Sequence, residues 1–204
     1  MIDAALIQQC ADPLLKPAIV EQFVSAAGSN DPLAVAVKSG GRLILVPRAT
    51  TPEEAMAIVR QYVGQAVVRV GLTQFPAGVG VMDAAELKLD LFDPCENLRK
   101  GTTMFAKILR IVAKWYGNPK SDDVLPQIFE DAVYAWKTGE FEGLSVFQAD
   151  EPGESVIIDN VLPTDQSEAR VNLPPADRDA ESVEKSENVG SAEMRIDLSR
   201  IGGK

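Results

Sequence analysis

Apolar residues recur at intervals of three and four along several stretches of this chain, and each stretch is bounded by residues that start or stop a helix. In "DPCENLRKGTTMFAKILRIVAKWYGNP", Asp93 suits the cap and Pro94 the first helical position, where its missing N–H costs nothing. Glu96 completes a capping box, and Gly117 with Pro119 ends the run. The spacing predicts a helix with Leu98, Phe105, Ile108, Leu109, Val112 and Trp115 on one stripe. "TTPEEAMAIVRQYVG" repeats the logic, with Thr51 as cap, Pro52 first, Glu54 closing the box, and Ile58, Val59, Tyr62 and Val63 inward. "KPAIVEQFVSAAG" starts a helix at Pro17 that buries Ile19, Val20, Phe23 and Ala27 or their neighbours. "DDVLPQIFEDAVYAWKTG" places Leu125, Ile128, Phe129, Ala132, Val133 and Trp136 on one face and stops at Gly139.

Alternation takes over in "LAVAVKSGGRLILV", where β-branched and apolar residues flank Ser39-Gly40-Gly41 as in a β-hairpin. Four helices and one hairpin predict an α+β domain, mostly α, over residues 1–149. From residue 150 the chain turns acidic and poor in aromatics, so 150–204 is expected to be a disordered acidic tail. Within it "SVIIDNVL" and "MRIDLSRI" are the less polar patches, read either as docking segments or as parts of a linker.

The formal charge of −10 and the absence of histidine remove histidine catalysis and histidine metal sites and argue against nucleic acid as a partner. No metal or cofactor is expected. No apolar run is long enough to span a bilayer, and "MIDAALIQQCADPLLK" has neither a basic start nor an unbroken apolar stretch of the kind that marks a secretion signal. Cys10 and Cys95 lack metal-ligand spacing; they are two reduced core thiols or one long-range disulfide, and composition alone favours the thiols.

Four segments in order, "PAIVEQFVSAAGSNDPLAVAV", "VGLTQFPAG", "FDPCENLRKGTTMF" and "AVYAWKTGEFEG", resemble the signature blocks of the VirB-type lytic transglycosylases, lysozyme-like enzymes that open peptidoglycan for type IV secretion and conjugation. The chain as a whole resembles the conjugal-transfer TraH family of plasmids from plant-associated soil bacteria. Those resemblances imply a lysozyme-like domain, a role in plasmid transfer, and partners among the conjugation and type IV secretion proteins.

The resemblance places the enzymes' catalytic glutamate at Ala27, by counting back from Asp31-Pro32-Leu33-Ala34 and forward from Pro17 alike. A glycosidic oxygen leaves poorly unless a carboxyl group protonates it, and alanine has no proton to give. Glu21 and Asp31 are the fallback acids. Glu21 lies about 120° around the helix and about 9 Å back along it, as a solvated residue would; Asp31 precedes a proline, where a turn role is expected.

Pro76 replaces the family's asparagine, and Trp136 and Lys137 replace its tyrosine and asparagine. A non-catalytic accessory protein is therefore expected, acting by protein contacts or weak peptidoglycan binding; the alternative is an active transglycosylase with a relocated carboxylate. Gln74, Tyr134, Trp136 and Thr138 are the candidates for a glycan groove, although for Trp136 helix packing is the preferred role. Relatives carry cysteines at both places, so the resemblance implies a Cys10–Cys95 disulfide and a periplasmic location. A cytoplasmic protein with reduced thiols is the alternative.

Overall fold

The computed structural model describes residues 2–153. Contacts divide the chain into units Met1–Asp165 and Gln166–Lys204, and the described residues belong to the first. Nearly all of the acidic tail, with both of its less polar patches, lies outside the described residues.

The helices are α1 (Ala4–Cys10), α2 (Pro17–Ala27), α3 (Pro52–Tyr62), α4 (Pro94–Trp115) and α5 (Leu125–Thr138). The strands are β1 (Val35–Ser39), β2 (Arg42–Ile44), β3 (Val67–Val70), β4 (Phe75–Pro76), β5 (Glu140–Phe141) and β6 (Leu144–Ser145). The class is α+β, with a small antiparallel sheet, as the alternating and helical periods predict.

Proline opens α2, α3, α4 and α5 within their first two positions. Asp93 caps α4 by accepting from the Glu96 N–H at 2.9 Å. The reciprocal half of the box is absent, because the Glu96 carboxylate pairs with Arg99 instead. Thr51 caps α3, while Glu54 reaches one residue further than expected and accepts from both the N–H and the hydroxyl of Thr50 at 2.8 Å. These hydrogen bonds, the Thr50 N–H foremost, hold the Glu54 carboxyl below its ordinary range. Gly139, left-handed at φ 86°, closes α5.

Two expectations are corrected. A fifth helix precedes the four expected ones: α1, which Asp3 starts by accepting from the Ala5 N–H and Cys10 ends. Only Ile7 and Cys10 of α1 are buried, too short a repeat to register as a period. Trp115 continues the α4 stripe in sequence but is 58% exposed, its indole leaning onto Tyr116 and Phe141 at the end of the helix.

The sheet order is β2-β1-β3-β4, all antiparallel. Gly40 and Gly41 both have positive φ, 55° and 77°, so the expected hairpin turns as a mirror-image two-residue turn that a side chain would strain. β3 and β4 add two strands that alternation did not predict. Pro76 sits in β4, at the edge of the sheet, where a missing donor breaks no ladder.

Two apolar clusters result. One joins α1, α2, α4 and α5, with Phe23 stacked on Phe105 at 4.0 Å and Trp136 edge-on to Phe23 at 5.0 Å. The other lies between the sheet and α3, around Val37, Val59, Val68 and Val70. Phe75 packs against both, so the turn leading into it is where the halves are joined.

Candidate functional site

The four sequence blocks meet at that turn, Gly71-Leu72-Thr73-Gln74. Gly71 (φ 71°) and Gln74 (φ 52°) are both left-handed, and Gln74 holds the turn by donating from its backbone and side-chain amides to the Gly71 carbonyl. From the first block, the Ser29 N–H donates to the Leu72 carbonyl at 2.8 Å. A Cβ on Gly28 would lie 2.3 Å from that same oxygen, so glycine is what lets α2 end against the turn.

From the third block comes Asn97, 1% exposed, in the first turn of α4. Its Oδ1 accepts from the Thr73 N–H at 2.9 Å and the Thr73 hydroxyl at 3.0 Å. Its Nδ2 donates to the carbonyls of Val70 at 3.1 Å and Leu91 at 2.9 Å. The amide is fully used. Cβ atoms on Gly71 and Gly101 would come within 2.3 Å of Asn97 Nδ2 and Thr73 Oγ1 respectively, so the contact depends on two missing side chains.

From the fourth block, Trp136 Nε1 donates to the Thr73 carbonyl at 3.1 Å. Arg69, 8% exposed, donates to the carbonyls of Trp136 at 2.6 Å, Lys137 at 3.2 Å and Gln74 at 3.3 Å. The rings of Trp136 and Phe147 lie 5.7 and 5.3 Å from its guanidinium carbon. No carboxylate pairs with it among the described residues; the last carbonyls of α5 and two aromatic faces take that place. Burial pushes the Arg69 pKa down to about 10, which leaves the side chain charged at neutral pH.

A cleft of about 780 Å³ opens alongside α2. Glu21, Gln22, Ser25, Ser29 and Asn30 line it together with Phe129, and among the described residues Glu21 is its only acidic lining residue. Ala27 does not line it; the methyl group is half-buried against the helical core. Asp31 takes the turn role: one oxygen accepts from the Leu33 N–H at 2.9 Å and the other pairs with Arg48 at 2.9 Å.

The groove candidates part company. Trp136 is fully buried among Phe23, Phe75, Phe105 and Phe147 and offers no ring face to a ligand, because its apolar stripe places it in the core. Gln74 is folded back on its own turn. Tyr134 is 64% exposed on α5, and the Thr138 hydroxyl donates to the Tyr134 carbonyl one turn away. Gln74 and Trp136 thus belong to the junction, and Tyr134 and Thr138 to the outer face of α5; none of the four lines the cleft beside α2.

Arg69 and Asn97 are the residues that sequence reasoning missed as organisers of this junction. An arginine within "VVRVG" and an asparagine in a first helical turn both read as solvated, and only the meeting of distant segments reveals their burial. Cys10 and Cys95 form a disulfide, with Cα atoms 5.1 Å apart, joining α1 to the start of α4. Beside it Asp12 accepts from the Thr103 hydroxyl and donates its N–H to Thr102 Oγ1, both at 2.8 Å. Among the described residues no cluster of His, Cys, Asp or Glu is arranged to hold a metal, and no helix is long and apolar enough to cross a membrane.

A family model described as TraH_2 matches residues 1–203. An uncharacterized protein, y4dP, of Sinorhizobium fredii (strain NBRC 101917 / NGR234) is 72% identical over 203 residues, covering 100% of both chains. No solved structure matches the chain.

Proposed function

This chain belongs to the TraH_2 family, whose name suggests a role in conjugal transfer, and from that premise we propose that it is a non-catalytic, lysozyme-like accessory protein of a plasmid conjugation apparatus. It acts by contacts with type IV secretion proteins or by weak binding of peptidoglycan. The observation that carries this reading is the state of position 27. A carboxyl group there would have to protonate a departing sugar oxygen, and the residue is an alanine packed on the core. Losing a general acid alone forfeits about 10²–10⁴ in rate.

The companion positions support the same reading. Trp136 and Gln74 serve the junction, and Pro76 has no amide to offer a substrate. The Cys10–Cys95 bond favours an oxidising compartment, the periplasm, where such a bond persists. Free thiols in protein isolated directly from cells under alkylating conditions would place it in the cytoplasm instead.

The test is incubation of the purified protein with peptidoglycan, followed by a search for anhydro-muropeptides, alongside plasmid-transfer frequency in a strain lacking the gene. Reduced transfer with no sugar product supports the accessory role. A second reading rests on Glu21, the one acid among the described residues that line the cleft beside α2. If product forms and is lost in Glu21→Gln, the protein is a transglycosylase with a relocated carboxylate.

A further inference from the structure

Among the described residues the sheet leaves its β2 edge uncovered: β2 pairs only with β1, and Leu43 and Leu45, two positions apart, are 61% and 91% exposed. The register sets Leu43 and Val67 on either side of Lys38, and Val67 is itself 54% exposed. The outer face thus carries three apolar side chains around one cation. Between Pro32 and Pro52 the chain has Lys38, Arg42 and Arg48 and no acid, in a protein of net charge −10. Arg48 is paired with Asp31; Lys38 and Arg42 stand exposed. Natural sheets blunt such edges or cover them.

We propose that the β2 edge is covered by residues Val156–Leu162 of a second copy of this chain, added as a strand. The segment "ESVIIDNVLP" fits the edge in three respects. It is β-branched and apolar with two acids, Glu154 and Asp159, which complement Lys38 and Arg42. Its alternation sends Val156, Ile158 and Leu162 to one face and Ile157, Asp159 and Val161 to the other. With Asp159 set opposite Leu43, either Ile157 or Val161 falls opposite Leu45 according to strand direction, and Asp159 shares a row with Lys38 on the next strand in. Pro163 ends the ladder, since it has no N–H to donate.

Reach selects the second copy. Glu151 is tied to Arg110 of α4, and five residues from it to Val156 span at most about 17 Å. β4 is the strand that packs on α4. A strand added outside β2 lies four strand spacings from β4, about 19 Å, already more than that span.

The inference stands apart from the accessory role and is tested on the full chain. Sedimentation over a range of concentrations is combined with amide exchange at Leu43–Val46 in the natural protein, Ile158→Pro and Leu45→Lys. Leu45 is 91% exposed, and unchanged exchange along α4 in both variants verifies the fold. A dimer whose β2 amides are protected as concentration rises, with exchange at least about tenfold faster in Ile158→Pro, is the expected result. A monomer at every concentration, protection that does not vary with concentration, or a dimer that survives Ile158→Pro overturns it.

Discussion

Asn97 bonds four buried groups and ties together the start of α4, the Gly71–Gln74 turn and the 3₁₀ segment Leu89–Phe92. Truncation strands the Val70 and Leu91 carbonyls and the Thr73 N–H, at roughly 1–3 kcal/mol for each unsatisfied group. Partial relaxation brings the expected loss for Asn97→Ala to about 3 to 5 kcal/mol, near the upper end for a single change. Thr73→Val removes only the hydroxyl and keeps its shape, so about 1 kcal/mol is expected. Urea denaturation of both variants checks the ratio; equal losses would mean that the amide's two donated bonds contribute nothing. The asparagine was visible in "DPCEN" as part of a block, but its work was not. A buried amide needs partners from Val70, Thr73 and Leu91, and nothing local to residue 97 announces them.

At the scale of elements, punctuation was the legible part. α2, α3 and α4 begin at their prolines, and α5 begins one residue before its own and stops at its glycine, because those residues constrain the backbone locally. α1, β3 and β4 were not legible: seven, four and two residues long, they are held by partners far away in sequence. The disulfide is such a partner. It closes a separation of 85 residues, worth about 4 to 5 kcal/mol in the chain-entropy account. Converting both Cys10 and Cys95 to Ser should lower stability by that amount, and exchange should quicken first along α1, measurable residue by residue.

The α3 cap carries a pH signature. Glu54 has a folded pKa below the ordinary value of its carboxyl group, so its contribution is present above that ordinary value and is lost as pH falls through the folded pKa. The stability gap between the natural protein and Glu54→Gln should therefore be widest at neutral pH and close on acidification below about 4.5. A gap constant down to pH 3 would remove the Thr50–Glu54 contact as its source.

For the whole molecule, the four blocks that prompted comparison with wall-cleaving enzymes keep their order, and the fold brings them into one place. What they build there is a joint. Gly28, Gly71 and Gly101 allow backbones to approach, Asn97 and Arg69 tie the carbonyls, and Trp136 plugs the space between helices and sheet. Such a joint persists without chemistry, since every contact in it supports the packing of two apolar clusters. On the proposed accessory reading, placing one carboxylate at position 27 should therefore produce no activity. In Ala27→Glu the new side chain starts from a half-buried site on the core, with Gln74 turned back on Gly71 and Trp136 sealed off from any sugar. The expected outcome is a protein destabilised by about 1 to 3 kcal/mol, the cost of strain from a larger side chain there, that still releases no anhydro-muropeptide. Release of product from that variant would mean that the remaining positions form a working cleft after all, and that a single substitution separates this protein from an enzyme.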